Sequence, residues 1–221
     1  MHFFAKIFLL AFFLNPSISI AAINDYVYKN GDIPSFSNYG SIGLIQMPTA
    51  RFLEAGSLAF NLSHNDPYIN GSIIAYPFSW LEASYHYTDI NNALYSDSPS
   101  FSGNQTYKDK GFDAKFRLLK ESHYLPQIAV GVRDVAGTSV FSAEYLVMSK
   151  RIKNIDLSFG LGWGTLSGNK IKNPLTLISD KYKERVNIDS DTQGGEVSFG
   201  KLFKGEAGYF AGAEVVIPNF S

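Results

Sequence analysis

The stretch Leu81-Glu82-Ala83-Ser84-Tyr85-His86-Tyr87-Thr88 decides the fold class. Leu81, Ala83, Tyr85 and Tyr87 alternate with Trp80, Glu82, Ser84 and His86. That period of two is the mark of a strand with one apolar and one polar face. The pattern recurs along the chain. Leu58, Phe60 and Leu62 alternate with Ala59, Asn61 and Ser63. Phe112, Ala114, Phe116 and Leu118 alternate with Asp113, Lys115 and Arg117. Ile128, Val130 and Val132 alternate with Ala129, Gly131 and Arg133. Phe141, Ala143, Tyr145 and Val147 alternate with Ser142 and Glu144. Leu157, Phe159, Leu161 and Trp163 alternate with Ser158, Gly160, Gly162 and Gly164. Ala211, Ala213, Val215 and Ile217 alternate with Gly212 and Glu214. After residue 22 no apolar run approaches 18 residues, so no transmembrane helix is expected. The chain is read as all-β and antiparallel.

Two architectures give such strands. A soluble sandwich buries one face and wets the other. A transmembrane barrel sets one face in lipid and one in a polar interior, with strands of about ten residues. Three features favour the barrel. The chain opens with a secretory signal over residues 1–22: Lys6, the apolar run from Ile7 to Leu14, the breakers Asn15 and Pro16, then small residues for cleavage at Ala21 or Ala22. The strands are long for a sandwich. The polar face is mostly Gly, Ser and Ala with scattered charges, which suits a crowded interior. Tyr76, Phe78, Tyr85, Tyr87, Tyr145, Tyr209 and Phe210 stand near strand ends, where an aromatic girdle would lie.

Composition fits this reading. Of 221 residues 18% are charged and 15% aromatic, with 13 Tyr and 18 Phe. A net charge of -1 lacks the basic excess of a nucleic-acid binder. The absence of cysteine excludes disulfides, thiolate metal sites, a cysteine nucleophile and a lipid anchor after the signal. Low charge and mean hydropathy near zero are odd for a soluble enzyme or a helical membrane protein. They follow if lipid-facing and interior residues average out.

The spacing predicts a lead-in over 23–56 and about eight to ten barrel strands within 57–221. The strands are expected at 57–65, 71–77, 79–88, 111–120, 126–134, 139–151, 154–164, 193–203 and 207–217. Segment 41–48 is a further candidate for pairing. Connections 89–110 and 165–192 are long and polar. Four strands separate them, so both fall at one end of the sheet. In a barrel that end is the outer one, which leaves the N-terminus periplasmic.

Candidate chemistry is sparse. Glu82, Ser84 and His86 share a face and raise the idea of a hydrolytic set. Alternate residues on one strand stand roughly 7 Å apart, too far for a nucleophile to meet its base. Glu82, His86, Asp113, Lys115, Arg117, Arg133 and Glu144 are assigned to the polar interior. Their balanced signs suit a space-filling ion-pair network better than an anion pore, which would be dominated by Arg and Lys. Leu161 and Trp163 are assigned to lipid. No metal or cofactor site is expected.

Several stretches together resemble the YjbH-like family of outer-membrane proteins of exopolysaccharide and capsule production. They are Gly43-Leu44-Ile45-Gln46-Met47-Pro48-Thr49-Ala50-Arg51-Phe52 with Gly56; Tyr76-Pro77-Phe78 through Trp80-Leu81-Glu82 to Tyr87-Thr88; and Asp109-Lys110-Gly111-Phe112-Asp113-Ala114-Lys115. Next come Pro126 with Ala129-Val130-Gly131, Asp134 and Gly137-Thr138; Phe141-Ser142-Ala143-Glu144-Tyr145-Leu146-Val147 with Ser149-Lys150; and Gly160-Leu161-Gly162-Trp163-Gly164. The resemblance covers about residues 40–165.

It implies an outer-membrane protein without catalytic activity: a conduit, scaffold or glycan-binding element in polysaccharide production or export. Its implied partners are membrane lipid, extracellular polysaccharide, and periplasmic or lipoprotein products of a polysaccharide operon, with no nucleic acid. Met47-Pro48-Thr49-Ala50-Arg51 is then either a structural lead-in under the barrel or a periplasmic plug. Family members are several times longer, so the chain resembles their N-terminal portion. A generic porin, a small-barrel enzyme and a soluble periplasmic β-protein are the rival readings.

Overall fold

The computed structural model describes residues 34–185 and 199–215. The expected signal, the first part of the expected lead-in, residues 186–198 and residues 216–221 lie outside the described residues.

A two-residue hairpin comes first, β1 (Gly43–Leu44) with β2 (Met47–Pro48). Eight longer strands follow: β3 (Leu58–Asn65), β4 (Tyr68–Phe78), β5 (Leu81–Leu94), β6 (Thr106–Leu119), β7 (Gln127–Arg133), β8 (Ala143–Ile152), β9 (Ile155–Gly164) and β10 (Ala207–Val215). Each pairs antiparallel with its neighbour in sequence, giving the order β3 to β10 in one meander. Among the described residues β3 and β10 are its two edges, so the sheet is a curled half-barrel rather than a closed one. No helix among the described residues is long and apolar enough to cross a membrane.

The curl is visible in what the lead-in touches. Asn61 and Ser63 of β3 donate to the carbonyls of Ser37 and Asn38. Ser72 of β4 donates to Tyr39. Gln127 of β7, Ser149 of β8 and Asp156 of β9 bond Ala50 or Arg51. Glu214 of β10 accepts from Ser35. One segment can reach both edges and the middle of a sheet only if the sheet wraps around it. Residues 34–56 therefore fill the concave face.

The alternation holds through most strands. Leu58, Phe60, Leu62, Tyr85, Phe112, Phe116, Leu118, Leu157 and Phe159 are exposed on the convex face. Asn70, Ser72, Glu82, Ser84, His86, Asp113, Lys115, Arg133 and Ser158 are buried on the concave one.

Strand β8 reverses the expected faces. Tyr145 and Val147 are buried against Ile42, Ala50 and Phe52 of the lead-in, while Leu146 and Met148 are exposed. The strand is apolar on both sides because one side meets an apolar patch of the lead-in. Tyr76 and Phe210, expected in a girdle, also point inward. Tyr76 is fully buried, and the Phe210 ring lies over Gly160.

Strands β5 and β6 are longer than expected. They run on through Asp89-Ile90-Asn91-Asn92 and Thr106-Tyr107-Lys108, where polar residues suggested a loop. The Asp89–Lys108 ion pair at 2.9 Å and the Thr106 hydroxyl on Asp89 tie this extension together. Residues 199–201, expected in a strand over 193–203, form a 3-10 turn. The rest of that expected strand up to residue 198 lies outside the described residues.

Close packing gives a direct prediction. A Cβ on Gly131 would stand 2.2 Å from the Tyr145 ring, itself buried. Gly131→Ala should cost about 1–3 kcal/mol by overpacking. It is read as a lower urea midpoint in detergent micelles; an unchanged midpoint would show that the ring has room to move.

Candidate functional site

The interior divides into polar clusters placed by strand register. At the end where β3, β5, β7 and β9 begin, Arg51 is 1% exposed. Its Nε and Nη2 donate to the two oxygens of Asp156, each at 2.7 Å, and its Nη1 donates to Glu121 at 2.6 Å. Burial alone would lower the Arg51 pKa. The hydrogen bond and charge of Asp156, then those of Glu121, outweigh it and raise the pKa above its ordinary value.

Around Arg51 the rest of the motif is fixed by its backbone. The Thr49 N–H donates to the Ile42 carbonyl at 3.2 Å. The Ala50 N–H donates to Ser149 Oγ at 2.9 Å, and the Gln127 amide donates to the Ala50 carbonyl. Met47 lies over Gly212, where a Cβ would come within 2.8 Å of its sulfur, and Pro48 belongs to β2.

In the middle of the concavity, Lys115 Nζ stands 2.8 Å from Glu82 Oε2, both nearly inaccessible. Tyr76 donates its hydroxyl to the same oxygen at 2.9 Å. Lys115 and Arg117 also stand over the Phe52 ring, at 4.8 and 5.4 Å from its centroid. Arg133 lies over the Tyr39 ring at 4.4 Å. These cations hold the lead-in as well as the carboxylates.

At the opposite end His86 faces Asp113 at 3.2 Å through Nδ1 and Asp109 at 3.6 Å through Nε2. Ser84 also turns to Asp113, at 3.4 Å. Serine and histidine thus share a carboxylate rather than each other, and Glu82 is engaged by Lys115. Just beyond β7, burial and then the negative charge of Asp109 push the Asp134 carboxyl up to about 7.

Glu144 is not part of the interior. It lies on the convex side of β8, opposite Trp163 in register. Arg185 of the connection after β9 grips it with two bonds, 2.6 and 2.9 Å, and the Phe203 N–H adds a third at 2.9 Å. Trp163, assigned to lipid, is 3% exposed, because Phe203 packs edge-on against it at 5.1 Å. The connection folds back over the outer face there and covers both residues.

The model of the family described as "Exopolysaccharide biosynthesis protein YbjH" matches residues 35–219. The chain belongs to this family. It is 49% identical over 187 residues to the "Uncharacterized lipoprotein YjbH" of Escherichia coli (strain K12), a match covering 84% of this chain. The chain spans 26% of the length of that relative. No solved structure matches.

The family match begins at residue 35 and so takes in all but the first residue of the described lead-in, Arg51 included. The sequence reading missed several members of the interior: Tyr76, Asp109, Glu121, Asp134 and Asp156. Asp109 was legible, since Asp109, Gly111, Asp113 and Lys115 share one parity. Arg51 and Asp156 are 105 residues apart, and nothing local links them.

The Glu82–Lys115 pair supplies a second prediction. Glu82→Gln removes a charge-assisted bond at no cost in volume. A loss of about 1.5–3 kcal/mol is expected, read by denaturant titration. Joining Lys115→Met to it should restore part of that loss, because the lysine then no longer stands buried without its counter-charge. Equal instability of single and double variants would sink this account.

Proposed function

We propose that the chain is part of an outer-membrane β-barrel that takes part in exopolysaccharide production or export without catalysing a reaction. The observation that carries this is the inside-out surface of the sheet. Its convex face exposes large apolar residues strand after strand, among them Phe60 at 73% and Leu62 at 82%. A water-facing protein rarely shows so continuous a patch. The concave face holds the ion pairs. That is the polarity of a barrel in lipid, and an envelope location agrees with a relative named a lipoprotein.

Edges β3 and β10 must then be paired in the membrane, since unpaired backbone is not tolerated in lipid. The pairing is with each other or with further strands of a longer family chain. A concavity filled by residues 34–56 favours a scaffold or docking element over an open porin. The absence of a Ser84–His86 contact speaks against the hydrolytic set.

The test pairs location with phenotype. Outer-membrane fractionation with heat-modifiable gel migration, together with reduced secreted polysaccharide on deletion, is expected. Recovery as a soluble periplasmic protein, or unchanged polysaccharide, would overturn the proposal.

A further inference from the structure

Three carboxylates and one imidazole converge beneath the connection that follows β7. Asp109, Asp134 and His86 are 0%, 2% and 5% exposed. Each of these two carboxylates has one oxygen engaged and one left over. Asp109 Oδ1 accepts from the Thr138 hydroxyl, and Oδ2 has no hydrogen-bond partner. Asp134 Oδ2 accepts from the Phe141 N–H at 3.2 Å, and Oδ1 has no hydrogen-bond partner. Asp113 is occupied differently: its Oδ1 accepts from the Asp134 N–H at 2.8 Å and faces His86 Nδ1. Both spare oxygens and His86 Nε2 are therefore buried and turned toward one another.

We propose that His86, Asp109 and Asp134 bind one divalent transition-metal cation, of which zinc is the best probe. Three independent features support the site. The first is its geometry. The ligand atoms lie within 4.8 Å of one another, and His86 Nε2 is 3.6 Å from Asp109 Oδ2. Zinc with bonds of about 2.0–2.2 Å sets neighbouring donors about 3.3–3.6 Å apart. One edge of the site has that spacing, and turning the Asp134 carboxylate inward by about an ångström completes it.

The second is space kept by glycine. A Cβ on Gly111 would stand 2.5 Å from Asp134 Oδ1 and 3.0 Å from His86 Nε2. A Cβ on Gly137 would overlap Asp134 Oδ1 outright. The third is the orienting carboxylate. Asp113 stands 3.2 Å from Nδ1 and leaves Nε2 as the nitrogen turned to the spare oxygens, the place that outer partners of ligating histidines take.

Charge points the same way. Three carboxylates outweigh one imidazole even when the ring is protonated, so the cluster keeps a buried negative charge that a divalent cation would neutralise. One nitrogen with two oxygens suits zinc or manganese, whereas magnesium and calcium prefer oxygen alone. A water would take the open position. The site lies in the fold's interior and is the same whether or not the convex face meets lipid.

The experiment uses the full chain in detergent micelles, stripped with chelator and titrated with zinc chloride. One saturable equivalent that survives gel filtration is expected, with X-ray absorption showing one imidazole nitrogen among oxygen donors. Asp134→Asn should weaken binding at least about tenfold. His64→Ala, at an exposed position, should leave it unchanged. Folding of each variant is checked by circular dichroism. If Asp134→Asn fails to fold, the wild-type spectrum still decides. Absence of saturable binding by the folded wild-type chain would overturn the site and leave a protonated His86 as the occupant. So would binding lost in His64→Ala, or a zinc spectrum without imidazole.

Discussion

Arg51→Ala is expected to destabilise the protein by about 3–5 kcal/mol, at the upper end for a single buried ion pair. The guanidinium is 1% exposed and serves two carboxylates at once, Asp156 through both oxygens and Glu121 through one. Truncation removes the fork on Asp156 and leaves Glu121 to the Lys150 ammonium, 3.3 Å from its other oxygen. Arg51→Lys should recover only part of the loss, because one ammonium cannot reproduce the fork on Asp156 and still reach Glu121. The triple change Arg51→Met, Asp156→Asn, Glu121→Gln should recover most of it, since uncompensated charge is the main cost. The readouts are the urea midpoint and protease cutting within 34–56. If the alanine variant keeps the wild-type midpoint, the lead-in is not anchored as described. If the triple variant is as unstable as Arg51→Ala, lost packing dominates rather than charge.

The same residue shows what the sequence could and could not reveal. Met47-Pro48-Thr49-Ala50-Arg51 stood out as a motif, but its two readings stayed level because the partners of Arg51 lie on distant strands. The alternation was legible wherever one face was polar, as in 81–88 and 112–118. It misled in β8, where Tyr145 and Val147 meet the apolar side of the lead-in while Leu146 and Met148 face outward. A strand apolar on both sides carries no phase. Glu144 was misplaced for that reason, and Trp163 because a returning connection covers it. The two ends of the expected connection 89–110, residues 89–94 and 106–110, read as loop because Asp, Asn and Lys are poor strand formers. Cross-strand ion pairing overrides that preference there.

Phe159→Arg separates a membrane sheet from a soluble one. Phe159 sits mid-strand on the convex face, 45% exposed, between Met148 and Ala211 in register. Arginine near the bilayer midplane of a barrel costs about 2–4 kcal/mol, falling to about 0–1 near the interfaces. At a half-exposed position in water the same change usually stays within about 0.5 kcal/mol. The expected result is loss of the heat-modifiable band and of outer-membrane recovery, with Phe159→Leu close to wild type. Ile155 lies on the same face at the end of the same strand, so Ile155→Arg should cost distinctly less. It is this dependence on depth, more than the loss itself, that belongs to lipid. A soluble sheet has no midplane, and its two arginine variants would differ only by local packing. Equal tolerance at both positions would remove the membrane reading and leave the exposed apolar face to be covered by protein.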